Sequence, residues 1–478
     1  MKYQRPPGPR DRRFGFSIVG EMRRRYLDFW QETHRSHGDA VYMRLMGRDL
    51  YAFAHPSLIR EVLVEKAKSF VRYERFIEVH AQLHGRSVLI AEGEEWRQQR
   101  RLLQPSFSNK QFDLYAGQIV EAARESLERL PTEVPLDFEH AMNMLTIDVV
   151  LRTMFGSRVE HDTAEIEKAV RWWSQISFSE MAMPMTLPDW LPLPGKAKKR
   201  WAMAVLNDFI TSQIRRRRAE GAKQDDFLGT LLALPADEGA DGQGSDRLAR
   251  DQSMAVFLAG HSTTATSLCW AAWALAKHAD VRERVLREID EVLGQRAPTF
   301  ADMARLPYVD QVVKETLRLY SPATGVIARR ATEDVQIGEW LVPKGSLVSI
   351  LSFVVHRDER WFPDPLRFDP ERFNAEASEQ MTRGSYFPFG LGPRVCMGNN
   401  LASMEIKMAL ALLLQRYSLS PAPGQGEPGL LMHTTMRPAG GMQLVLSKRA
   451  GRPDLQLATP VGTHAPSGRC PVHTAPGP

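Results

Sequence analysis

One cysteine stands in a run of residues that suits a metal-binding thiolate. The run FGLGPRVCMG at 389–398 surrounds Cys396 with glycines and an arginine. Apolar residues recur at helical spacing from Leu401 to Tyr417, so a helix is expected to begin just after the cysteine. A helix N-terminus favours the thiolate over the thiol, and glycine allows tight backbone conformations. A cysteine thiolate is one of the few side chains that can be the sole protein ligand of a haem iron.

The spacing Phe-x-x-Gly-x-Arg-x-Cys-x-Gly is matched by Phe389, Gly392, Arg394, Cys396 and Gly398. It resembles the cysteine loop of the cytochrome P450 haem-thiolate monooxygenases. An isolated cysteine in a glycine-rich loop is more often a buried structural residue, but five matched positions favour the resemblance. It implies haem b with Cys396 as its axial ligand and with Phe389 and Gly398 beside it. Arg394 is a candidate partner of a haem propionate, because a guanidinium suits carboxylates.

A second chemical site is predicted in the stretch from Gln252 to Ala276, which contains no Asp, Glu, Lys or Arg. Its length could span a bilayer, but hydroxyl side chains crowd its centre, which favours a buried central helix that crosses an active site. The sequence AGHST at 259–263 is similar to the family's Ala/Gly-Gly-x-Asp/Glu-Thr motif. The resemblance therefore makes Gly260, Ser262 and Thr263 the candidate catalytic residues.

Ser262 departs from the family, which has an acid at this position. In the family the threonine hydroxyl orients water near the oxygen, and the acid helps to relay protons. Serine is a poor acid or base, whereas a general acid or base contributes about 10²–10⁴-fold to a rate. Three interpretations stay open: slower or leakier turnover, a relay through His261 or the substrate, or chemistry that depends less on this pair. Thr263 argues against the fatty-acid peroxygenase branch, and His261 is expected to be a packed residue of the helix.

Further arginines are candidates for holding the haem propionates. Trp96 and Arg100 lie four residues apart on a predicted helix, and both side chains donate hydrogen bonds. The family uses this Trp-x-x-x-Arg spacing to hold a propionate. The resemblance adds Arg329 as another propionate arginine, although Arg330 adjoins it.

A structural triad is also implied. Glu315 and Arg318 are three apart and share one helix face, a pattern that is often a solvated ion pair of little energy. The order of Glu-x-x-Arg, then the sequence PERF at 370–373, then the cysteine loop is that of the family. The resemblance therefore implies that Glu315, Arg318 and Arg372 join in a triad that holds the segment before the cysteine.

The composition excludes several classes of protein. The chain has 478 residues, of which 43% are hydrophobic and 25% charged, as in globular proteins. Its net charge of +5 is far from a nucleic-acid footprint, and the basic runs at 196–200 and 215–218 are expected to be solvated helix faces. Three cysteines, at positions 269, 396 and 470, make no disulfide framework, so a reducing compartment, the cytoplasm, is expected.

Helical patterns dominate and strand patterns are short, which predicts a mainly α fold with a small β subdomain. The resemblance specifies the cytochrome P450 fold around a buried haem. Residues 1–37 are expected to form a basic, proline-rich arm without a membrane anchor, since no apolar run there is long enough. Residues 38–450 are expected to form a single oxygenase domain, and the Pro-, Gly- and Thr-rich tail at 451–478 to be disordered.

The resemblance implies insertion of one oxygen atom from O2 into a lipophilic small molecule of the fatty acid, terpenoid or steroid class. No flavin or ferredoxin domain fits in this length, so NAD(P)H is expected to supply electrons through a separate ferredoxin and ferredoxin reductase. This donor is expected to dock near Arg97, Arg101 and Lys407 of a monomeric protein. Substrate contacts are expected in the ranges 73–89, 172–183, 257–263, 323–328 and 434–436.

Two other classes of function stay open. One is a haem-thiolate enzyme of different chemistry, namely peroxide-driven oxidation, oxidative coupling or rearrangement, and the missing acid is a hint of it. The other is a non-catalytic haem-binding sensor, for which Thr263 would have no use.

Overall fold

The computed structural model describes residues 4–10, 15–158, 163–183, 185–221, 226–233 and 244–449. Helices dominate this part of the chain and the sheets are small, so the predicted mainly α fold with a minor β part is confirmed. The tail predicted to be disordered, with Cys470, lies outside the described residues. So do Arg12 and Arg13 of the N-terminal region.

The described residues contain sixteen α-helices. They are α1 (Phe16–Arg24), α2 (Tyr26–His37), α3 (Pro56–Arg60), α4 (Glu74–His84), α5 (Gly93–Leu103), α6 (Asn109–Glu128), α7 (Phe138–Phe155), α8 (Ala164–Met181), α9 (Lys196–Glu220), α10 (Phe227–Leu232), α11 (Gly244–Lys277), α12 (Ala279–Val292), α13 (Pro307–Leu319), α14 (Ser352–Val355), α15 (Ala375–Gln380) and α16 (Asn399–Arg416).

The strands form one five-stranded sheet and three smaller sheets in the described residues. They are β1 (Ala40–Leu45), β2 (Arg48–Phe53), β3 (Phe70–Arg72), β4 (Pro135–Asp137), β5 (Val326–Ala331), β6 (Val335–Ile337), β7 (Trp340–Val342), β8 (Leu347–Ile350), β9 (Tyr417–Pro421), β10 (Gly429–Met432), β11 (Met436–Ala439) and β12 (Gln443–Lys448). The large sheet has the order β1-β2-β8-β5-β3, with only β2 and β8 parallel.

The helix α11 is the centre of the molecule. It contacts α4, α7, α9, α13 and α16, and it buries Trp270 and Trp273 almost completely. A helix that is covered on most sides needs apolar residues around most of its circumference, which explains the absence of charged side chains between Gln252 and Ala276. The bilayer-spanning alternative finds no support, since no described helix is long and apolar enough to cross a membrane.

The N-terminal helices belong to the folded body. Phe29 and Trp30 of α2 are buried in the same apolar cluster as Val41 and Tyr51 of the large sheet. The region predicted as an arm over 1–37 is therefore helical from Phe16 and packed through α2. This packing has no strong signal in the sequence, because the apolar residues of the two helices are short runs interrupted by charged residues.

The prediction that the basic runs of α9 are solvated is wrong for three of their side chains. Lys199 is fully buried, with its Nζ 3.0 Å from Glu180 Oε1 and 2.9 Å from Asp189 Oδ1. Lys196 joins the same two acids, and Arg217 is buried against an aspartate in the turn before α10. Successive residues of a helix point in different directions, so a run of cations inevitably places some on the inner face.

Candidate active site

A cavity of about 390 Å³ lies between α11 and the cysteine loop. Most of the residues predicted from the sequence to be catalytic or to bind the cofactor line this one cavity. The predicted residues in its wall are Trp96, Arg100, Gly260, Thr263, Arg329, Phe389, Arg394, Cys396 and Gly398. They come from α5, α11, β5 and the cysteine loop, segments separated by up to 300 residues of chain.

The cysteine loop is held by its own backbone. The Cys396 N–H donates to the Phe389 carbonyl at 3.0 Å, and α16 begins three residues later, with Gly398 as its N-terminal cap. Gly392 has φ of 72°, and a Cβ there would lie 1.9 Å from the Leu63 carbonyl oxygen. Only glycine fits such a position without a shift of the backbone. The loop therefore fixes where the Cys396 thiol enters the cavity.

Burial raises the pKa of the Cys396 thiol, while the Gly398 N–H and the charge of Arg100 lower it. The net direction is upward, so burial outweighs the helix N-terminus that was expected to favour the thiolate. A bound metal ion stabilises the deprotonated form of its ligand. The residues therefore suit a metal-ligated thiolate better than a free reactive one.

Four guanidinium groups line the cavity near this loop, from Arg72, Arg100, Arg329 and Arg394. One carboxylate, Glu92, accepts from two of them, with distances of 3.0 Å to Arg72 Nη1 and 2.7 Å to Arg394 Nη2. Burial, together with the charge of Arg72, lowers the pKa of Arg329 to about 10 and that of Arg394 to about 9. The cluster has an excess of buried positive charge, which further carboxylates would neutralise. The two propionates of a haem fit this requirement.

Trp96 packs against the same cluster, with the Arg394 guanidinium carbon 3.8 Å from the centre of its ring. Arg100 donates to the Val395 carbonyl at 3.0 Å, which ties α5 to the cysteine loop. Arg72 and Glu92 were missed by the sequence reasoning. Glu92 stands one helical turn before Trp96, and that spacing could have identified it, whereas nothing local marks Arg72 on β3.

The opposite wall of the cavity is a layer of hydroxyl groups on α11. Thr263 Oγ1 donates to the Ala259 carbonyl at 2.6 Å, and Ser267 Oγ donates to the Thr263 carbonyl at 2.9 Å. Thr264 also lines the cavity, and neither it nor Ser267 was predicted. These hydroxyls lie across the cavity from Cys396 and can orient a small polar molecule there.

Ser262 does not line this cavity. Each residue advances about 100° around a helix of 3.6 residues per turn, and Ser262 faces a separate pocket of about 30 Å³, together with His261 and Thr266. His261 is 1% exposed and stacks on Phe257, and burial lowers its pKa to about 3. It is neutral at pH 7, and its predicted place as a packed residue of the helix is confirmed.

Glu315, Arg318 and Arg372 lie together on the far side of the cysteine loop. Arg318 is fully buried and donates to both oxygens of Glu315, at 2.6 and 2.8 Å. Arg372 Nε is 3.5 Å from Glu315 Oε1. A solvated ion pair is therefore excluded for Glu315 and Arg318. Arg318 also donates to the carbonyls of His356 and Pro365, so the cluster joins α13 to the chain that leads into the cysteine loop.

The ranges predicted to contact substrate differ in whether they reach the cavity. Residues of the ranges 73–89, 257–263 and 323–328 line the cavity, whereas none of 172–183 or 434–436 appears among its described lining residues. Thr434 Oγ1 donates to the Ser174 carbonyl at 3.0 Å, and Ser174 and Thr435 belong to the smaller pocket. The segments meet each other there instead of reaching the cavity.

The predicted docking residues differ in exposure. The side chains of Arg97 and Arg101 are 53% and 75% exposed. The Lys407 side chain is only 12% exposed, and its Nζ lies 3.0 Å from Asp310 Oδ1. Arg97 and Arg101 are therefore accessible to a partner, whereas Lys407 is engaged within the chain.

The cytochrome P450 family model matches residues 6–445 of the chain. Cyclooctat-9-en-7-ol 5-monooxygenase of Streptomyces melanosporofaciens is 33% identical over 81% of this chain and 84% of its own. Cyclooctatin synthase of the same organism is 34% identical over 86% of this chain and 90% of its own. Pentalenene oxygenase of Streptomyces avermitilis is 28% identical over 88% of this chain and 93% of its own. Among solved structures, the haem domain of a cytochrome P450DA mutant aligns with a TM-score of 0.79 and 23% sequence identity. The alignment covers 93% of this chain and 97% of that one, which shows that the two share a fold.

Proposed function

This chain belongs to the cytochrome P450 family of monooxygenases, and we propose that it inserts one oxygen atom of O2 into a terpenoid. One observation carries the proposal. A single cavity brings the Cys396 thiol, four arginines and the hydroxyl of Thr263 together around a mostly apolar space. A non-catalytic haem-binding sensor needs the thiol and the arginines but has no use for the hydroxyl layer of α11.

In this proposal Cys396 would bind the iron of haem b. Trp96, Arg100, Arg329 and Arg394 would hold its propionates, with Phe389 and Gly398 among the residues that line its site. When bound, the haem would supply the activation of O2, which a thiolate ligand favours. Thr263 is the catalytic hydroxyl across the cavity, beside the space at Gly260. The triad of Glu315, Arg318 and Arg372 positions the cysteine loop and does not touch substrate.

The substrate class follows from the cavity wall away from the arginines. Its side chains are aliphatic or small. No charged group is among the contributions of α7, α11, the segment before β5 and the start of β5, namely Val150, Met154, Val256, Ala323, Val326 and Ile327. Apolar pockets with a few polar groups bind lipophilic ligands. The relatives from Streptomyces, which their names connect with cyclooctat-9-en-7-ol and pentalenene, favour a cyclic terpenoid over a fatty acid or a steroid.

Electrons are proposed to come from NAD(P)H through a separate ferredoxin and ferredoxin reductase. Arg97 and Arg101 are exposed on α5, the helix that Arg100 ties to the cysteine loop, and both lie near the exposed Glu94, which offsets one of their two charges. An acidic ferredoxin would dock there, with an association rate that falls as salt rises. Arg101→Glu should slow reduction of the haem severalfold at low salt and leave its absorption spectrum unchanged.

The central test is the spectrum of the reduced protein with carbon monoxide. The haem-loaded wild type should show the absorption of a thiolate-ligated complex, and Cys396→His should lose it. Cys269→Ala, at the buried cysteine of α11, is the matched control and should keep the spectrum. Absence of the thiolate signal from the wild type would overturn the proposal.

The substrate class is tested by titration with cyclooctat-9-en-7-ol, pentalenene, a long-chain fatty acid and a steroid. A shift of the haem spin state with a terpenoid, followed by an oxygenated product with NAD(P)H and the ferredoxin pair, is expected. A shift with only the fatty acid or the steroid contradicts the terpenoid assignment. Turnover with peroxide alone, and none with the ferredoxin pair, would favour peroxide-driven chemistry instead.

A further inference from the structure

We propose that the connection between α8 and α9 docks on an anionic lipid surface. The connection follows Met181, where α8 ends, and precedes Lys196, where α9 begins. None of its described residues lines the cavity of the candidate active site. The proposal therefore goes beyond the proposed reaction and concerns where the protein works.

Large apolar side chains face solvent along this connection. Trp190 is 76% exposed and Met185 is 64% exposed. Met183, Leu187 and Leu193 are each between 39% and 41% exposed. The other large apolar side chains of comparable exposure stand singly along the described chain, which is normal for a protein surface. These five, within eleven residues of sequence, form the apolar tip of the connection, a patch of the kind that marks an interaction site.

The polar side chains of the same connection point the other way, into the folded body. Thr186 Oγ1 lies 2.6 Å from Nη1 of Arg75, a buried residue of α4. Asp189 Oδ1 accepts from Lys196 Nζ at 2.7 Å and from Lys199 Nζ at 2.9 Å, and both lysines are buried. A loop that faces water ordinarily exposes its polar groups and buries its apolar ones. The reverse arrangement here indicates an apolar environment outside the apolar tip.

The backbone of the connection is also held in place. The Leu193 N–H donates to the Leu191 carbonyl at 2.8 Å, and the Lys196 N–H donates to the Leu193 carbonyl at 3.1 Å. The Asp189 carbonyl accepts from the Arg200 guanidinium. Because the backbone is held before docking, little conformational freedom is lost when the apolar tip meets its partner.

Among the described residues, the exposed charges beside the apolar tip that have no ion pair are positive. Lys198 and Arg200 are exposed, whereas Glu180 and Asp189 next to them are engaged by the buried lysines of α9. Glu78 of α4, an exposed acid near the same connection, is ion-paired with the buried arginine of α4 at 2.8 Å. A positive rim around an apolar tip is complementary to an anionic surface.

Two more cations lie near this end of α8. Arg23 and Arg24 are exposed at the end of α1. Tyr26, at the start of α2, packs against Phe178 of α8 with ring centres 5.7 Å apart. The junction of α1 and α2 therefore lies at the same end of α8 as the apolar tip.

An anionic lipid surface meets both requirements. Tryptophan favours the boundary between lipid and water, and other apolar side chains of a docked segment favour the acyl boundary. Lysine and arginine are attracted by anionic headgroups. A second copy of the chain fits less well, because a symmetric dimer through this face would set Lys198 and Arg200 against the same residues of the other copy. Docking on lipid would also place the protein where lipophilic molecules dissolve.

The first test is the partitioning of the haem-loaded protein onto vesicles. The probes are anionic vesicles of phosphatidylglycerol and phosphatidylethanolamine, and neutral vesicles of phosphatidylcholine. Binding to the anionic vesicles should be stronger by roughly tenfold or more and should weaken as salt rises, since each basic residue near such a surface contributes about fivefold. A wild type that does not bind the anionic vesicles would overturn the proposal.

Trp190→Ser tests the apolar tip. It should weaken binding to anionic vesicles roughly tenfold, because the indole no longer enters the lipid boundary. Thermal unfolding should stay unchanged, because the side chain is exposed. Leu366→Ser, at a side chain that is 69% exposed between α14 and α15, is the matched control and should bind as the wild type does. Equal binding of Trp190→Ser and the wild type contradicts docking through the tip.

Lys198→Gln tests the positive rim. It should weaken binding to anionic vesicles roughly fivefold and leave binding to neutral vesicles unchanged. Lys68→Gln, at an exposed lysine in the turn before β3, removes the same charge elsewhere and should bind as the wild type does. An equal loss in the two variants would mean that net charge alone attracts the protein, and would overturn docking through this face.

A third measurement reports whether the apolar tip enters the lipid. Vesicles that contain brominated acyl chains should quench part of the tryptophan fluorescence of the wild type. Trp190→Phe keeps an apolar ring at the tip, so it should bind the vesicles while losing the quenched part of the signal. Quenching that persists in Trp190→Phe would place a different part of the surface in the lipid and refute the proposal.

The occupant and the reaction are tested separately. Sedimentation that shows a dimer of the wild type, lost in Trp190→Ser, together with no vesicle binding, would assign the tip to a second copy and refute lipid docking. Vesicle binding needs neither O2 nor an electron donor, so its absence leaves the proposed oxygenase function standing. A wild type that binds vesicles without showing the thiolate spectrum refutes the oxygenase function alone.

Discussion

The two sides of the cavity are built in opposite ways. On the cysteine side, Arg318, Arg100 and the Cys396 N–H all bond to groups of the chain itself. On the α11 side, Thr263 opens on the cavity, and Ser262 and His261 open on the small pocket. The cysteine side thus uses its polar groups to fix a position. On the α11 side His261 leaves both ring nitrogens without a partner among the described residues, and Thr263 Oγ1 donates only to the carbonyl of its own helix. Substitutions should cost folding energy on the first side and alter chemistry on the second.

The largest effect is expected from Arg318→Met. It would leave the Glu315 carboxylate fully buried without its bidentate partner, and removing one member of a buried ion pair costs about 3–5 kcal/mol. Denaturant unfolding of the haem-loaded protein measures the loss. Arg101→Met, at a side chain that is 75% exposed, is the control and should change stability by less than about 0.5 kcal/mol. A loss below about 1 kcal/mol in Arg318→Met would show that the cysteine side is not held as described.

The next effect concerns the backbone of the cysteine loop. Gly390 and Gly392 have φ of 78° and 72°, so alanine at either is strained by about 1–2 kcal/mol. At Gly392 the new Cβ would also meet the Leu63 carbonyl oxygen, whereas at Gly390 nothing lies within 4 Å. Gly392→Ala should therefore destabilise the protein clearly more than Gly390→Ala and retain less haem. If the two variants lost stability and haem equally, the whole destabilisation would be due to backbone conformation and not to contact with the Leu63 carbonyl.

The sequence predicted the cysteine side well because its signals are local. The spacing around Cys396, the Glu-x-x-Arg pair on α13 and the Trp-x-x-x-Arg pair on α5 each lie within a few residues. The helix α16 was expected from the apolar spacing between Leu401 and Tyr417. That Arg372 lies near Glu315 was expected only from the resemblance to the family, because the two residues are far apart in the sequence.

The sequence could not predict which face of α11 meets which space. Ser262 and Thr263 are adjacent in the chain, yet helix geometry turns them towards different pockets. Glu139 lies more than a hundred residues away, and only the packing of α7 on α11 brings it to the pocket of Ser262. The burial of Lys199 on α9 was missed for the same reason, since its acids come from other segments.

The last effect depends on pH and separates the two sides through their buried histidines. Burial lowers the pKa of both His261 and His356 to about 3. The unfolded chain binds a proton at each near pH 6.5, so each lowers stability as pH falls through the range from 6.5 to about 3. Between pH 7 and pH 5 each histidine should cost about 2 kcal/mol.

Replacing either histidine with leucine should remove its share of the pH dependence of the unfolding free energy. At pH 7, however, the two replacements should destabilise the protein by different amounts. His356 Nε2 accepts from the Phe387 N–H at 3.0 Å, beside the cysteine loop, so His356→Leu leaves a buried N–H unpaired and should cost about 1–3 kcal/mol. His261 has no such bond among the described residues, so His261→Leu should be nearly neutral at pH 7 and more stable than the wild type at pH 5. Unfolding free energies at the two pH values test this. If both variants lost the same stability at pH 7, the proposed difference between the cysteine side and the α11 side would be contradicted.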